Sequence, residues 1–176
     1  TRIVPLIDGG IQEGGRRAGT ENMAAIVGLG KAAELARTDL PERSKKVKAV
    51  RDLLLKGLPD KIEHVVVTGH PEKRLPHHAS FCVEFVEGES MLLNLDMLGI
   101  AVSSGSACTS KALKASHVLI AMGLDHALAQ SSLVFSLLDE TSKEDIEYLF
   151  DVFPPVVEKL RKMSPLYSQY LEDKQK

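Results

Sequence analysis

Apolar and polar positions divide the chain into short periodic blocks separated by turn-forming residues. Residues 2–7 form a short apolar run, which predicts a strand end. Residues 8–20 hold five glycines and cannot form a regular element. Met23, Ile26, Val27 and Gly30 recur at helical spacing, with Thr20 placed to cap the helix; Gly28, Gly30 and the alanines allow close packing against another element. Asp39-Leu40-Pro41 predicts the start of a second helical segment carrying a stripe of Val47, Val50, Leu54 and Leu58, and Gly57 with Pro59 predicts its stop. Residues 62–67 read as a strand, 68–78 as a polar loop, and 79–86 as a half-buried strand. In the last of these Phe81, Val83 and Phe85 face one way, and Ser80, Cys82 and Glu84 the other.

The second half continues the alternation. Gly88-Glu89-Ser90 opens a helix striped by Met91, Leu92, Leu95 and Leu98, and a strand at 100–103 follows. Residues 115–122 predict a helix closed by Gly123, and 131–137 a strand. Thr141-Ser142-Lys143-Glu144 reads as a capping box before a helix with Ile146, Leu149, Phe150 and Phe153. Pro154-Pro155 predicts a kink or split in that helix, and the tail from Ser164 reads as polar and loose. The order predicts an α/β layer structure.

Composition narrows the function classes. At 176 residues, 44% hydrophobic and 26% charged, the chain can build one ordinary core. A net charge of -2 gives no reason to expect direct contact with nucleic acid, and 5% aromatics without tryptophan argue against base-stacking platforms. No apolar run approaches the ~20 residues that span a bilayer, so no membrane partner is expected. Two cysteines argue against a disulfide framework, and a reducing, cytoplasmic setting fits them. His70, His77 and His78 lack acidic or thiol partners at ligand spacing, so no metal is expected. The opening Thr1-Arg2-Ile3-Val4-Pro5-Leu6-Ile7 reads as the middle of a longer protein.

Two stretches carry candidate chemistry. Ser103-Ser104-Gly105-Ser106-Ala107-Cys108-Thr109-Ser110 follows an apolar run and presents a thiol among small residues. That composition leaves two readings open, an incidental cysteine in a polar loop and an accessible nucleophile. The 8–20 stretch, with Arg16, Arg17 and Thr20, fits either a plain connection or a loop that offers backbone N–H groups to an anion. Cys82, inside a strand, reads as an inert thiol, and His117 as a helix-surface histidine.

Taken together these motifs resemble the group I cysteine desulfurases, the NifS/IscS type within the class V aminotransferase family. The octet at 103–110 is similar to their active-cysteine loop. Gly9-Gly10-Ile11-Gln12-Glu13 followed by Arg17-Ala18-Gly19-Thr20-Glu21-Asn22 is similar to their Gly-rich segment. Val27-Gly28-Leu29-Gly30-Lys31-Ala32, Val86-Glu87-Gly88-Glu89-Ser90 and Ser164-Pro165-Leu166 follow in the family order.

The resemblance implies the C-terminal half of a fold-type I enzyme dependent on pyridoxal 5'-phosphate (PLP). Its division would be the tail of the large domain (1–20), a long linking helix (21–58), a small α/β domain with a mixed or antiparallel sheet packed by helices (59–163), and a polar tail (164–176). Cys108 would take sulfur from L-cysteine as a persulfide, leaving L-alanine, and pass it to an iron–sulfur scaffold or another acceptor. Thr20 would reach the PLP phosphate of the partner subunit in a homodimer.

The family's PLP lysine belongs to a His-Lys motif upstream of the Gly-rich segment, whereas the first lysine here is Lys31, beyond it, so the chain alone is expected to be inactive. The family's substrate-gripping arginine, in Ser-Ile-Arg-Phe-Ser, is replaced by Val134, with Arg17 as a candidate substitute. This keeps open an alternative, a non-catalytic sulfur carrier or a docking or dimer partner. A third option, a related lyase acting on selenocysteine, is disfavoured by the octet around Cys108.

Overall fold

The computed structural model describes residues 3–105 and 115–174. The chain divides into two compact units, Thr1–Pro41 and Glu42–Lys176. In the first unit residues 3–7 form no strand, and Ile3, Val4, Leu6 and Ile7 are exposed, because no neighbouring strand pairs with them among the described residues. The Gly-rich stretch folds on itself through a Gln12–Arg17 bridge around a 3-10 turn at Glu13–Gly15. Gly14 and Gly15 sit at φ of 64° and 79°, conformations that favour residues without a Cβ.

Helix α1 (Met23–Lys61) corrects three expectations. Its cap is Asn22, whose Oδ1 accepts the Ala25 N–H at 3.1 Å, rather than Thr20. It runs through Pro41 as one helix: the residues around Pro41 are exposed, so the carbonyl that loses its donor stays hydrated. Its end lies at Lys61, past Gly57 and Pro59. Among the described residues nothing lies within 4 Å of where a Cβ at Gly28 or Gly30 would stand, so the close packing these glycines allow is not used there.

The second unit is built on an antiparallel four-stranded sheet in the order β1 (Val65–Val67), β2 (His78–Val83), β4 (Ser132–Ser136), β3 (Ser103–Ser104). One sheet face carries Val65, Val67, Phe81, Val83, Leu133 and Phe135. It packs on the predicted α1 stripe at Leu54 and Leu58, on Met91 and Leu95 of α2 (Gly88–Asp96), and on Ile146, Leu149 and Phe153 of α5 (Lys143–Lys162). This is the alternation that the sequence predicts.

The opposite face is also covered. Helices α3 (His117–Ala121) and α4 (His126–Gln130) place Leu119, Leu128 and Ala129 over Cys82 and Val66. Strand β2 is therefore buried on both faces rather than half-buried; its small Ser80 and Cys82 allow the second layer to approach. Helix α4, capped by Asp125, is not visible in the periodicity, because five residues are too few to show one.

Four further corrections follow, three of them from tertiary contacts overriding local signals. Phe85 leaves the strand alternation at φ 70° and stacks on Tyr170 of α6 (Pro165–Lys174) at 4.9 Å. Residues 165–174, expected to be a loose tail, are that helix, held also by Tyr167 against Phe85. The capping box sits one residue later than predicted, between Ser142 and Asp145. Helix α5 continues through Pro154-Pro155, pinned on either side by buried Phe153, Val156, Val157 and Arg161. Arg161 donates to the Glu63 and Glu84 carbonyls at 2.7 and 3.2 Å, joining the ends of the β1 and β2 connections.

Candidate functional site

Cys108 lies outside the described residues, but both ends of its loop are described. Strand β3 pairs Ser103 with Val134 and Ser104 with Leu133. Beyond it the Gly105 N–H donates to Ser132 Oγ at 3.2 Å. A Cβ at Gly105 would collide with Ser132 Oγ and stand 3.5 Å from the Ser116 Cβ, so the residues before and after the loop meet at one point. Ser116 and Ser132 are buried there.

The same strand start is fixed from the other side. A Cβ at Gly88, the first residue of α2, would stand 2.5 Å from the Ser132 carbonyl oxygen and 3.1 Å from that of Gln130. Backbone atoms cannot yield as a flexible side chain can, so only glycine brings α2 this close to β4. Sequence alone does not group Gly105, Ser132 and Gly88. Gly105 and Ser132 stand 27 positions apart, and no local pattern links them.

Val134 sits in the middle of this arrangement. Ser80 of β2 lies opposite it on one side and Ser103 of β3 on the other. Thr68 Oγ1 donates to Ser80 Oγ at 2.6 Å, which extends the row. The row offers hydroxyls and an aliphatic side chain but no cation.

The second thiol is set apart by its surroundings. Cys82 is fully buried. Burial pushes its thiol up to about 11; a hydrogen bond with Ser131 opposes that rise and the Asp125 charge adds to it. At pH 7 such a group is thiolate in about one molecule in 10⁴, too few for a nucleophile.

Thr20 belongs to the other unit. It is exposed, follows Gly19 at φ 89°, and takes no part in capping α1. Arg17 donates from Nε to the carbonyl of its neighbour Ala18 at 3.2 Å. Among the described residues no group of three His, Cys, Asp or Glu could hold a metal ion, and no helix is long and apolar enough to cross a membrane.

The family model for aminotransferase class-V matches residues 11–149, a span that includes the Gly-rich turn, the whole sheet and both ends of the cysteine loop. The chain belongs to the aminotransferase class-V family. Among similar members of this family, a cysteine desulfurase of Gluconacetobacter diazotrophicus is 49% identical over 166 residues, covering 94% of this chain and 42% of that protein. The cysteine desulfurase NifS of Azotobacter vinelandii is 47% identical over 96% of this chain and 42% of its own length. The cysteine desulfurase IscS of Clostridium botulinum is 45% identical over 99% and 44%. A solved NifS-like protein from Rickettsia africae superposes with a TM-score of 0.74 at 32% identity, over 90% of this chain and 41% of that one. The fold of this class-V chain is thus that of the NifS-like fold-type I PLP enzymes. The chain spans less than half the length of the curated relatives it matches.

Proposed function

We propose that this chain is the sulfur-accepting part of a PLP-dependent cysteine desulfurase, with Cys108 as the nucleophile. The observation that carries this is the match to cysteine desulfurases over nearly the whole chain, 49% identical over 94% of it in one case. The described geometry supports the choice of thiol, since Cys82 is buried and held protonated. It also supports a defined platform for the loop, whose two ends meet at Gly105, which Ser132 holds.

In this reading the Cys108 thiolate attacks the sulfur of L-cysteine. A sulfur–sulfur bond forms, the substrate carbon–sulfur bond breaks, and its electron pair goes to the substrate carbon, which takes up a proton to give L-alanine. PLP, when bound, supplies the electron sink that makes this bond breakable. Thr20 fits the role of a phosphate donor, being exposed, next to a glycine in the left-handed region, and not engaged as a helix cap. The His-Lys motif of the family precedes the Gly-rich segment, so the activity belongs to a protein that carries that lysine as well as this chain. A homodimer, an iron–sulfur scaffold or other sulfur acceptor as partner, and a cytoplasmic location complete the proposal.

The test is mass spectrometry after giving L-cysteine to the PLP-loaded protein that carries this chain together with the lysine-bearing half. A gain of one sulfur atom (about 32 Da) on Cys108, with release of L-alanine, is expected. The gain appearing on Cys82, or undiminished sulfide release by Cys108→Ser, would sink the assignment. Val134 favours a second reading, a sulfur carrier or docking partner without turnover. Turnover that appears only after Val134→Arg would select that reading.

A further inference from the structure

The row that contains Val134 has no cation, yet the same sheet face carries an N–H donor close by. His78 pairs with Ser136, two residues along β4 from Val134. The two-residue period of a strand puts His78 on the face of Val134, as its diagonal neighbour at about 7–8 Å between Cα atoms. His78 is partly exposed.

Behind His78 stands Arg74, whose guanidinium is held in a built setting. Its Nε donates to the His70 carbonyl at 2.8 Å and its Nη2 to the Thr68 carbonyl at 2.7 Å. Gly69, at φ 85°, leaves room for it: a Cβ there would stand 3.3 Å from Nη2. The remaining nitrogen, Nη1, is buried and has no hydrogen-bond partner among the described residues. No carboxylate pairs with Arg74 among the described residues either. Asp52, which lies nearby, is gripped by Arg51 at 2.6 and 2.9 Å through a single oxygen. The turn therefore holds a guanidinium with one unused donor and no direct ion pair, reached only by the field of the Asp52 carboxylate that Arg51 already grips. The field of Arg74 reaches His78: burial, then the Arg74 charge and then His77 hold the imidazole below its ordinary range. His78 thus offers a neutral N–H backed by a fixed positive charge.

We propose that His78, backed by the field of Arg74, forms a subsite for the carboxylate of a small substrate on the sheet face beside Val134. This rests on the desulfurase reading for the identity of the substrate, and it supplies the carboxylate recognition that Val134 cannot. His78 makes the contact; Arg74 acts through its field and by holding the turn.

The test uses the isotope-labelled chain and acetate as the carboxylate probe, with histidine ring signals followed by NMR against sodium chloride at equal ionic strength. Saturable movement of the His78 signals with acetate alone is expected, at millimolar concentrations for so small a probe. His78→Gln and Arg74→Gln should each weaken acetate binding at least fivefold, and Arg74→Lys should recover part of it, which a merely structural arginine would not show. Val134→Arg should tighten binding, because it adds a cation to the face that His78 lines. Equal movement in chloride, unchanged binding in His78→Gln, or indifference to Val134→Arg would each overturn the subsite. Acetate binding is read without PLP or sulfur transfer. Its failure therefore leaves the Cys108 persulfide to be judged separately, and failure of the persulfide leaves the subsite standing.

Discussion

Replacing Gly105 by alanine probes the point where the cysteine loop is fastened. The backbone there is not in the left-handed region, so an alanine would adopt it without strain, and the cost arises from contact alone. The new methyl would collide with Ser132 Oγ and lie 3.3 Å from the Ser132 Cβ. Overpacking of this kind costs about 1–3 kcal/mol. Ser132→Ala has a different cost: it strips the Gly105 N–H of its acceptor at 3.2 Å, worth about 1 kcal/mol.

If both changes acted independently, the double variant would lose about 2–4 kcal/mol. Removing Oγ, however, makes room for the methyl, and the hydrogen bond can be lost only once. The double variant should therefore be destabilised by only about 1 kcal/mol, a favourable coupling of about 1–3 kcal/mol. Urea unfolding of the four proteins, followed by circular dichroism with the slope of each transition compared, measures it. Additivity to within about 0.5 kcal/mol would refute the claim that Gly105 and Ser132 share one contact.

Cys82 makes stability depend on alkaline pH. Its ionisation is raised from 9.0 to about 11 in the fold, so the folded chain holds its proton where the unfolded chain has lost it. Stability should be intact below about pH 9 and decline as pH rises through about 11, by about 2–3 kcal/mol from this group, since each tenfold gain in proton affinity on folding is worth about 1.4 kcal/mol. Cys82→Ala should remove that part of the decline, and a decline identical to that of the unaltered chain would contradict it. At the start of α5, Ser142→Ala should cost about 1 kcal/mol in thermal or urea unfolding while Glu144→Ala is nearly neutral, because the box closes on Asp145; the reverse order would restore the register read from the sequence. Arg161→Met should cost about 2–4 kcal/mol, since it strands the Glu63 and Glu84 carbonyls that the guanidinium now serves. A loss under about 1 kcal/mol would show that water replaces it.

Much of the second unit is legible in the chain because its elements are long enough to show a period. The Leu54–Leu58 stripe, the alternation of Phe81 and Val83, and the Met91–Leu95 face all point into the observed core. What misleads is punctuation. Pro41, Pro154 and Pro155 are strong local breakers, yet α1 and α5 pass through them. In α5 the packing on both sides of the prolines outweighs the lost hydrogen bonds. Phe85 fits a strand pattern by type but meets Tyr167 and Tyr170, far along the chain in α6. The same limit applies to the site. A thiol among small residues is visible as composition, whereas a hydrogen bond from Gly105 to Ser132, or the placing of His78 beside Val134, exists only once strands are paired in register.

Ordered local motifs were enough to establish the family, the α/β class and Cys108 as the candidate thiol. The sequence also reads Cys82 as an inert thiol inside a strand; packing supplies the cause, since Leu119, Leu128 and Ala129 close over it on the second sheet face. Strand pairing also dictates what surrounds the position the family gives to arginine: two serines across the sheet from Val134, with His78 one step along. The reason is physical. Motifs are carried by neighbours along the chain, while burial, field and register are set by neighbours across it.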